Sequence, residues 1–484
     1  MSKTLMQTLT LKPKEYLQLK EAFQGGFTHA NAHRVGIIHS KVGSYDFTSS
    51  YPASMVAFKF PMSAGEYIGD IDRDQLVELC KNYCCLFRVA ITNLVPLKHI
   101  EHPISSSKCR KKKEVVEDNG RVVTAAYLET TITEQDYFTY EEFYAWEDIK
   151  FFDCWIYYKQ YLPTPFVKSI LELYRDKTTL KGVDGEEVNY LLKKEMLNSC
   201  YGMTVTDIVR ENLEFSELNV TGCMSNYDIL PGETQEEYDN RMKQYLEEQI
   251  KRYNNNPYRF LFYPWGVWVT AYSRANLFSG IIEADRDYIY SDTDSIKITN
   301  PDKHEEYIRK YNEDISERMR IACEFHGLDF SLTKPKNIWG VEKPLGVWEF
   351  EGIYDEFKTL GAKRYLCREG NKWLFTVAGV NKFRARDYLL KRTHEINRVR
   401  KHSGLKPQSP FHLFTIDLVI PEEYSGRMVV TYIDEPTSGI VTDYLGNTCH
   451  YEELSATHME STNYSLNPVD AFINYLFTIR EEMW

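Results

Sequence analysis

The chain has 484 residues, of which 43% are hydrophobic and 26% charged, and its formal net charge is -12 at pH 7. These values are typical of a globular protein with roughly two to four domains or subdomains. No apolar run is long enough to span a bilayer and the N-terminus lacks the apolar core of a signal peptide, so the sequence predicts a cytoplasmic protein with no membrane partner. The cysteines form no Cys-x-x-Cys pair, which argues against common zinc and redox motifs and favours a reducing compartment.

The acidic chain has one strongly basic stretch. From Lys382 to Lys406, nine lysines and arginines stand with two acids, Asp387 and Glu395, which is a local excess of seven positive charges. Such a stretch can follow the phosphates of a nucleic acid, because local charge rather than net charge attracts a polyanion. A solvated helix face is the alternative interpretation.

The first part of the chain contains a glycine pair and a candidate acid. Gly25 and Gly26 end a helical segment over residues 11–22, and glycines let another stretch of backbone come close. A strand is predicted to end at Asp46 and Phe47, and Ser50-Tyr51-Pro52 opens a helix with proline at a tolerated position. Asp46 at the end of a strand is therefore a candidate site residue.

Two stretches have the character of insertions. Residues 61–160 contain the basic run Lys108-Cys-Arg-Lys-Lys-Lys113, which we interpret as a mobile loop, followed by an acidic and aromatic stretch. Residues 206–262 are acidic, and their composition predicts irregular structure.

A pair of helices lies between these stretches. The first is predicted over residues 164–177, and on the second Val188, Leu192, Met196 and Cys200 recur every four residues, which predicts that they pack inward. Lys194, Asn198 and Tyr201 would then lie on the opposite face. A lysine, an amide and an aromatic ring in one line could hold a triphosphate and cover a base pair, although a solvent-facing helix surface is the alternative.

The stretch Tyr288-Ile-Tyr-Ser-Asp292-Thr-Asp294-Ser predicts a β-hairpin with two acids at its tip. An EF-hand calcium loop is excluded, because its sixth and twelfth positions would be Lys297 and Lys303 instead of Gly and Glu. Neighbouring carboxylates repel each other, and a divalent cation relieves that repulsion. An ordinary acidic turn is the alternative until other residues are considered.

Asp46, the helix with Lys194 and the acidic hairpin together supply the parts of a two-metal nucleotidyl-transfer site. The residues also carry a resemblance. Asp46-Phe-Thr-Ser-Ser-Tyr-Pro, Lys194-Glu-Met-Leu-Asn-Ser-Cys-Tyr-Gly and Tyr290-Ser-Asp-Thr-Asp-Ser resemble motifs A, B and C of family B DNA polymerases, in the family's order.

Within that family the chain is most similar to the protein-primed subgroup of phages with linear genomes, from about residue 11 to about residue 390. Phe23-Gln-Gly-Gly-Phe-Thr resembles the Tyr-x-Gly-Gly segment of that subgroup, with Phe23 in place of the usual tyrosine, and Lys363-Arg-Tyr365 resembles its Lys-x-Tyr motif. The N-terminal exonuclease domain of the family has no counterpart here. Only Glu15 and Glu21 precede Asp46 as acids, so we expect no proofreading by this polypeptide.

The resemblance implies metal ligands and a cofactor. Asp46, Asp294 and the Phe47 carbonyl would be the main ligands and Asp292 a secondary carboxylate; all three aspartates would be catalytic. The cofactor would be two Mg²⁺ ions, with Mn²⁺ as an alternative.

It also implies roles in substrate binding. Lys177 and Lys194 would grip the triphosphate, Tyr51 would exclude a 2'-hydroxyl, and Asn198 and Tyr201 would complete the nucleotide site. At the DNA, the four residues expected to contact primer or template are Gly25, Gly26, Lys363 and Tyr365.

The implied fold is α+β: a right-hand polymerase with an antiparallel palm sheet backed by helices, helical fingers, a small β-rich thumb and two insertions. The implied domains are palm (1–60 and 263–385), an insertion resembling terminal-protein region 1 (61–162), fingers (163–205), an insertion resembling terminal-protein region 2 (206–262) and thumb (386–484).

The implied function is DNA-directed DNA polymerase activity in the replication of a phage or mobile-element genome. Its partners would be a DNA primer-template and deoxynucleoside triphosphates, and a terminal priming protein and a separate exonuclease polypeptide are two further candidates. The alternative function is a non-catalytic, nucleic-acid-binding homologue that kept the polymerase shape.

Overall fold

The computed structural model describes residues 3–98, 100–215, 223–230, 232–442, 448–468 and 470–481. The chain divides into two compact units. Unit 1 comprises Met1–Phe27, Tyr45–Ile296 and Pro301–Glu351, and unit 2 comprises Thr28–Ser44, Lys297–Asn300 and Gly352–Trp484.

The α-helices of the described residues, in chain order, are α1 (Lys3–Thr8), α2 (Pro13–Ala22), α3 (Ser50–Ala57), α4 (Arg73–Leu79), α5 (Glu134–Phe143), α6 (Thr164–Leu180), α7 (Glu187–Gly202), α8 (Gln235–Asn255), α9 (Tyr263–Ala284), α10 (Glu305–His326), α11 (Lys382–His402), α12 (Pro410–Leu413), α13 (Glu422–Ser425) and α14 (Asp470–Glu481).

The β-strands of the same residues are β1 (Thr28–Ala30), β2 (His39–Phe47), β3 (Phe60–Pro61), β4 (Glu66–Ile71), β5 (Tyr83–Pro96), β6 (Cys109–Asp118), β7 (Arg121–Thr133), β8 (Tyr144–Ala145), β9 (Asp148–Gln160), β10 (Leu213–Phe215), β11 (Cys223–Ser225), β12 (Tyr288–Asp292), β13 (Ser295–Ile298), β14 (Trp348–Gly361), β15 (Arg364–Glu369), β16 (Lys372–Val377), β17 (Val419–Ile420), β18 (Met428–Thr442), β19 (Thr448–Ser461) and β20 (Tyr464–Ser465). Mixed helices and antiparallel strands confirm the predicted α+β class.

The first predicted insertion folds as an antiparallel sheet in unit 1. Its strand order is β3-β9-β5-β7-β6, and β4 and β8 pair with β9 and β5 respectively. The apolar side chains of β5, β7 and β9 are largely buried. This stretch is therefore an ordered layer of the unit.

The prediction of a mobile loop over residues 108–113 was wrong. Cys109 begins strand β6, which pairs with β7, so the basic run is extended backbone at the edge of a sheet. The charges are compatible with a strand because they find cross-strand partners: the Lys111 ammonium lies 2.9 Å from a carboxylate oxygen of Glu129. Charged side chains on an edge strand also protect it from pairing with another chain.

The motifs that contain Asp46, Asp292 and Asp294 lie on strands beside the main core of unit 1. The neighbouring strands run in the order β12-β13-β2-β14, and the predicted hairpin at residues 288–298 is confirmed. Helix α9 is buried on nearly all sides, as its apolar composition requires, and α3 and α10 contribute to the same core. Representative core side chains are Met55, Val167, Trp265, Trp268, Ile315 and Met319.

The helix pair is confirmed as α6 and α7, but the predicted inward face of α7 was wrong except at Cys200, which is half-buried and packs against the core. Val188, Leu192 and Met196 are 77%, 55% and 45% exposed, whereas Leu197 is 1% exposed. The inward side of the helix also carries Tyr201, which is half-buried and packs against the core. An apolar repeat of four residues did not identify the buried side, because α7 packs on a narrow strip of its surface.

The second predicted insertion is more regular than its composition indicated. Within its described residues it contains α8, a helix of 21 residues, and the short strand pair β10 and β11. Thr234 and Glu237 form a capping box at the start of α8, and Ile250 enters the main core. The prediction of irregular structure was wrong for this helix, because its many charged residues conceal a single buried stripe.

Unit 2 has its own core. Strands β14, β15 and β16 form an antiparallel meander, and the side chains Leu366, Phe375, Leu389, Phe411, Phe414 and Leu466 pack together. The basic stretch forms α11, whose buried positions Ala385, Leu389 and Thr393 recur every four residues. Strands β18 and β19 make a long antiparallel pair. Among all described residues, no helix is both long and apolar enough to cross a membrane.

Candidate active site

The tip of the β12–β13 hairpin presents Asp292 and Asp294, both half-buried. Thr293 between them has φ of 59°, a left-handed conformation that is rare for a β-branched residue and that is found mostly at functional turns. The Asp294 amide donates to the Asp292 carbonyl at 2.6 Å, which closes the turn. The strand leading into it is fully buried at Tyr288 and Tyr290, so the tip has a rigid base.

Asp46 lies beside this tip. The amide of Phe47, the next residue, donates a 2.7 Å hydrogen bond to the Asp294 carbonyl. The Phe47 ring is buried and stacks on Trp348 with ring centroids 3.6 Å apart, so packing fixes the end of β2. The structure thus brings together the acids predicted from two separate stretches of sequence.

The glycine segment supports the hairpin from another side. The Thr293 amide donates to the Phe27 carbonyl at 2.7 Å. A Cβ atom on Gly26 would lie 2.6 Å from the Thr293 side chain and 2.9 Å from the Tyr51 hydroxyl, so only glycine fits there. A Cβ on Gly25 would meet nothing within 4 Å. Of the two glycines, Gly26 is the one whose lack of a side chain lets Thr293 and Tyr51 come close.

Arg274 fixes the glycine segment. Its guanidinium donates to the carbonyl oxygens of Gln24 and Gly25, at 2.5 and 3.1 Å, and pairs with Asp136 at 2.7 Å. The side chains of Arg274 and Asp136 are both only 5% exposed. Because breaking a buried pair leaves an uncompensated charge, this arrangement is costly to disturb. No local pattern in the sequence points to this contact between Arg274 and the glycine segment, because the partners lie about 250 residues apart.

Tyr51 and Tyr201 form an aromatic pair. Tyr51 is in the first turn of α3, Tyr201 is near the end of α7, and their ring centroids are 4.3 Å apart with an interplanar angle of 38°. Burial raises the pKa of the Tyr51 hydroxyl; Arg274 opposes that shift, and Asp294 and Asp292 add to it. Tyr51 therefore stands as a neutral ring close to the hairpin acids.

A cluster of lysines faces the same acids. The Lys177 ammonium, on α6, donates to the Ser49 hydroxyl at 2.8 Å. Burial lowers the pKa of Lys177. Repulsion from Lys181 and Lys194 lowers this pKa further, whereas the negative charges of Asp46 and Asp294 raise it. Several like charges held near one half-buried amine are a suitable environment for a polyanion, which relieves their repulsion. Lys194 itself is half-buried.

Asn198, Lys363 and Tyr365 complete the set of predicted residues. Asn198 is exposed on α7. Lys363 and Tyr365 belong to unit 2: Lys363 has φ of 53° in the β14–β15 turn, and the Tyr365 ring stacks on Phe357 with centroids 5.4 Å apart.

A cavity of about 460 Å³ adjoins Asp46 and Lys177. Its wall includes Trp339, which is 73% exposed, and Lys343, which pairs with Glu349. No pattern in the sequence indicated these side chains, because they lie in turns and at the start of β14.

The donor set fits hard divalent cations. Asp46, Asp292 and Asp294 are carboxylates, and the Phe47 backbone adds a carbonyl oxygen; Mg²⁺ prefers such oxygen donors, and softer metals prefer sulfur or imidazole. The hydrogen bond from the Phe47 amide to the Asp294 carbonyl holds the end of β2 and the hairpin tip side by side, and these two segments carry the oxygen donors.

Comparison with solved structures supports this fold. A phi29 DNA polymerase complexed with primer-template DNA matches with a TM-score of 0.57, at 15% identity, over 96% of this chain and 65% of that chain. The phi29 enzyme in an orthorhombic crystal form matches with a TM-score of 0.56, at 15% identity, over 96% of this chain and 65% of that one. The phi29 ternary complex with primer-template DNA and incoming nucleotide matches with a TM-score of 0.55, at 15% identity, over 95% and 63%.

The chain thus spans less than two thirds of the length of these structures, and the likeness confirms the predicted fold. No curated protein sequence gives a significant match. A family model matches residues 3–311, which is more than half of the chain and includes the acids, the glycine pair, the lysines and the paired tyrosines described above. The chain therefore belongs to the organellar and viral type B DNA polymerases.

Proposed function

We propose that this protein is a DNA-directed DNA polymerase that adds deoxynucleotides to a primer 3' end by a two-metal mechanism. The observation that carries the proposal is the hydrogen bond from the Phe47 amide to the Asp294 carbonyl. It joins the end of β2 to the hairpin tip, so that Asp46 and Asp294 can serve one centre. The charges of both acids act to raise the pKa of Lys177, which supports a role for this lysine in binding the triphosphate at the same centre.

Type B DNA polymerases use divalent metal ions. Here Asp46, Asp294 and the Phe47 carbonyl would hold two Mg²⁺ ions, with Asp292 as a secondary carboxylate and Mn²⁺ as an alternative metal. When bound, the ions activate the primer hydroxyl and stabilise the leaving pyrophosphate. The protein holds the carboxylates in place before substrate arrives, through the closed turn at Thr293 and the buried Phe47 ring.

Nucleotide selection would fall to the lysines and the paired tyrosines. Lys177 and Lys194 would neutralise the triphosphate, and Asn198 would approach it from the exposed side of α7 when a nucleotide is bound. Tyr51 would lie beneath C2' of the sugar and leave no room for a hydroxyl, while Tyr201 would line the nascent base pair. The 4.3 Å contact between the two rings supports this division of roles, because each ring limits the movement of the other.

The DNA partner would be a primer-template. Gly25 and Gly26 would let the template backbone come close, and both glycines are exposed. Lys363 and Tyr365 would hold the primer end. A terminal priming protein and a separate exonuclease polypeptide are further candidate partners, and a phage-encoded enzyme would act in the host cytoplasm.

The proposed domains are those indicated by the motifs. The palm would comprise 1–60 and 263–385, the fingers 163–205 and the thumb 386–484, with 61–162 and 206–262 as terminal-protein regions 1 and 2. The helices α6 and α7 support the assignment of the fingers, and the sheet β3-β9-β5-β7-β6 gives region 1 a defined surface for a partner.

Primer extension tests the function. Purified protein with a labelled primer-template, deoxynucleoside triphosphates and Mg²⁺ should extend the primer to the end of the template. The same reaction in excess chelator is the control and should leave the primer unchanged. If the protein binds primer-template tightly but extends nothing with Mg²⁺ or Mn²⁺, the non-catalytic homologue is the correct function.

A further inference from the structure

A second basic cavity, of about 430 Å³, lies elsewhere in unit 1. Three cations line it: Lys59, just after α3; Lys159, near the end of β9; and Arg318, on α10. The described residues that line it include no aspartate or glutamate. None of these three side chains has a part in the proposed polymerase chemistry.

Aromatic rings form the floor beneath the cations. The rings of Phe58 and Tyr272 are stacked, with centroids 4.5 Å apart and an interplanar angle of 6°. The Lys59 ammonium lies 5.4 Å from the centre of the Tyr161 ring, and the Arg318 guanidinium lies 5.5 Å from that of Phe58. The Tyr272 hydroxyl donates to the Lys59 carbonyl at 2.7 Å, which fixes the backbone at this lysine.

The cations remain available to an anion. Arg318 pairs with Asp314 at 2.7 Å, both side chains are about half exposed, and such a pair is weak in water. The Lys159 ammonium donates to the Cys80 carbonyl at 3.0 Å. An ammonium group has three donors, so Lys159 can also donate to an anion. Burial would lower the pKa of Lys159, but the buried Glu134 raises it overall, so the amine stays charged.

We propose that this cavity binds a nucleoside phosphate, either a free nucleotide or one nucleotide unit of a DNA strand. Lys59, Lys159 and Arg318 would take the phosphate. The aromatic floor and the half-exposed Ile321 beside it would take the sugar and base. A volume of about 430 Å³ is in the ordinary range for small-molecule sites. The proposal rests on this cavity and is independent of the polymerase assignment.

Equilibrium binding of labelled dATP in excess chelator tests the proposal, because it requires neither metal nor catalysis. The test variant is Lys59→Ala with Arg318→Ala, and the matched control is Lys310→Ala with Arg320→Ala. Arg320 is on the same helix as Arg318, and their side chains are 49% and 48% exposed respectively. Both arginines pair with acids three or four residues away. We expect the test variant to weaken binding about tenfold or more and the control to match wild type.

Further arms identify the site and its ligand. Every titration is made in the Lys177→Ala, Lys194→Ala background, which weakens the proposed triphosphate site, so that the remaining dATP binding reports on the cavity. A short single-stranded oligonucleotide replaces dATP in a parallel titration; if only its binding falls in the test variant, the ligand is a unit of a DNA strand. Equal binding of both ligands to wild type and the test variant, at equal thermal unfolding midpoints, would overturn the proposal. Tripolyphosphate competing as well as dATP would overturn the nucleoside part.

Discussion

The acidic hairpin and helix α7 both carry proposed site residues, yet they are stabilised in opposite ways. In the hairpin, the apolar side chains Tyr288, Ile289 and Tyr290 are buried, and the half-buried acids follow at the tip. In α7, Val188, Leu192 and Met196 are exposed, whereas Lys194 is half-buried. The hairpin follows the ordinary rule of apolar residues inside, and the helix departs from it.

The difference reflects how much surface each element buries. Both faces of strand β12 are buried, so all of its apolar side chains pack in the interior. Helix α7 buries only the strip that includes Leu197, and functional side chains share that strip. If Lys194 and Tyr201 bind a nucleotide as proposed, the helix has less room for apolar packing on the same side. Natural proteins depart from simple patterning at such functional surfaces.

The largest expected effect is at the hairpin and its partner strand. Asp46→Asn or Asp294→Asn should abolish primer extension while nearly preserving DNA binding, because each removes a metal ligand and leaves the basic surface intact. Extension with saturating Mg²⁺ and a filter-binding assay measure the two properties. Asp302→Asn, an exposed acid close in sequence to the hairpin, is the control and should be fully active. A variant at Asp46 or Asp294 that kept about a tenth of wild-type turnover would show that the site is assigned wrongly.

The next effect concerns Tyr51, which contacts the helix through Tyr201. Tyr51→Val should raise ribonucleotide incorporation much more than it changes deoxynucleotide use, because the ring that excludes a 2'-hydroxyl is gone. The ratio of kcat/KM for the two sugars measures this. Tyr51→Phe keeps the ring and should keep the discrimination. An unchanged ratio in the valine variant would rule out the steric role.

A smaller effect is expected at the helix. Lys194→Ala should raise KM for deoxynucleotides by roughly 10- to 100-fold, the range for loss of one hydrogen bond to a charged group, with a lesser change in kcat. Steady-state kinetics separate the two constants. Lys193→Ala is the neighbouring control: this lysine pairs with Asp176 at 3.1 Å, and its loss should change KM little. Equal effects of the two variants would mean that α7 acts only through its overall charge.

The smallest effects test the unusual packing of α7 directly. Leu197→Ala should lower the free energy of unfolding by about 2–5 kcal/mol, since it leaves a cavity in the core. Replacing Val188, Leu192 and Met196 together by glutamine should change it by only about 0.5 kcal/mol or less per site, because these side chains are exposed. Urea denaturation measures both. A large loss in the triple variant would show that the stripe is covered in solution.

The success of the sequence predictions depended on the range of the interactions. The hairpin was predicted correctly because its apolar strands and its polar turn form a local pattern. Strand β6 was missed because its stability comes from cross-strand partners such as Glu129, which lies 18 residues from Lys111. Helix α8 was missed because charge outweighs a narrow apolar stripe. Composition records which residues are present, but it does not record which of them meet.

For the candidate site, the sequence by itself determined the chemical groups: two carboxylates around Thr293, Asp46 at the end of a strand, and lysines on adjacent helices. Their order along the chain was enough to indicate a family. Only the tertiary structure decided that the Phe47 amide reaches the Asp294 carbonyl, across 247 positions of sequence, and that Gly26 lies against Thr293 and Tyr51. Contacts between such distant residues depend on how whole strands and helices pack, and no local pattern specifies that packing.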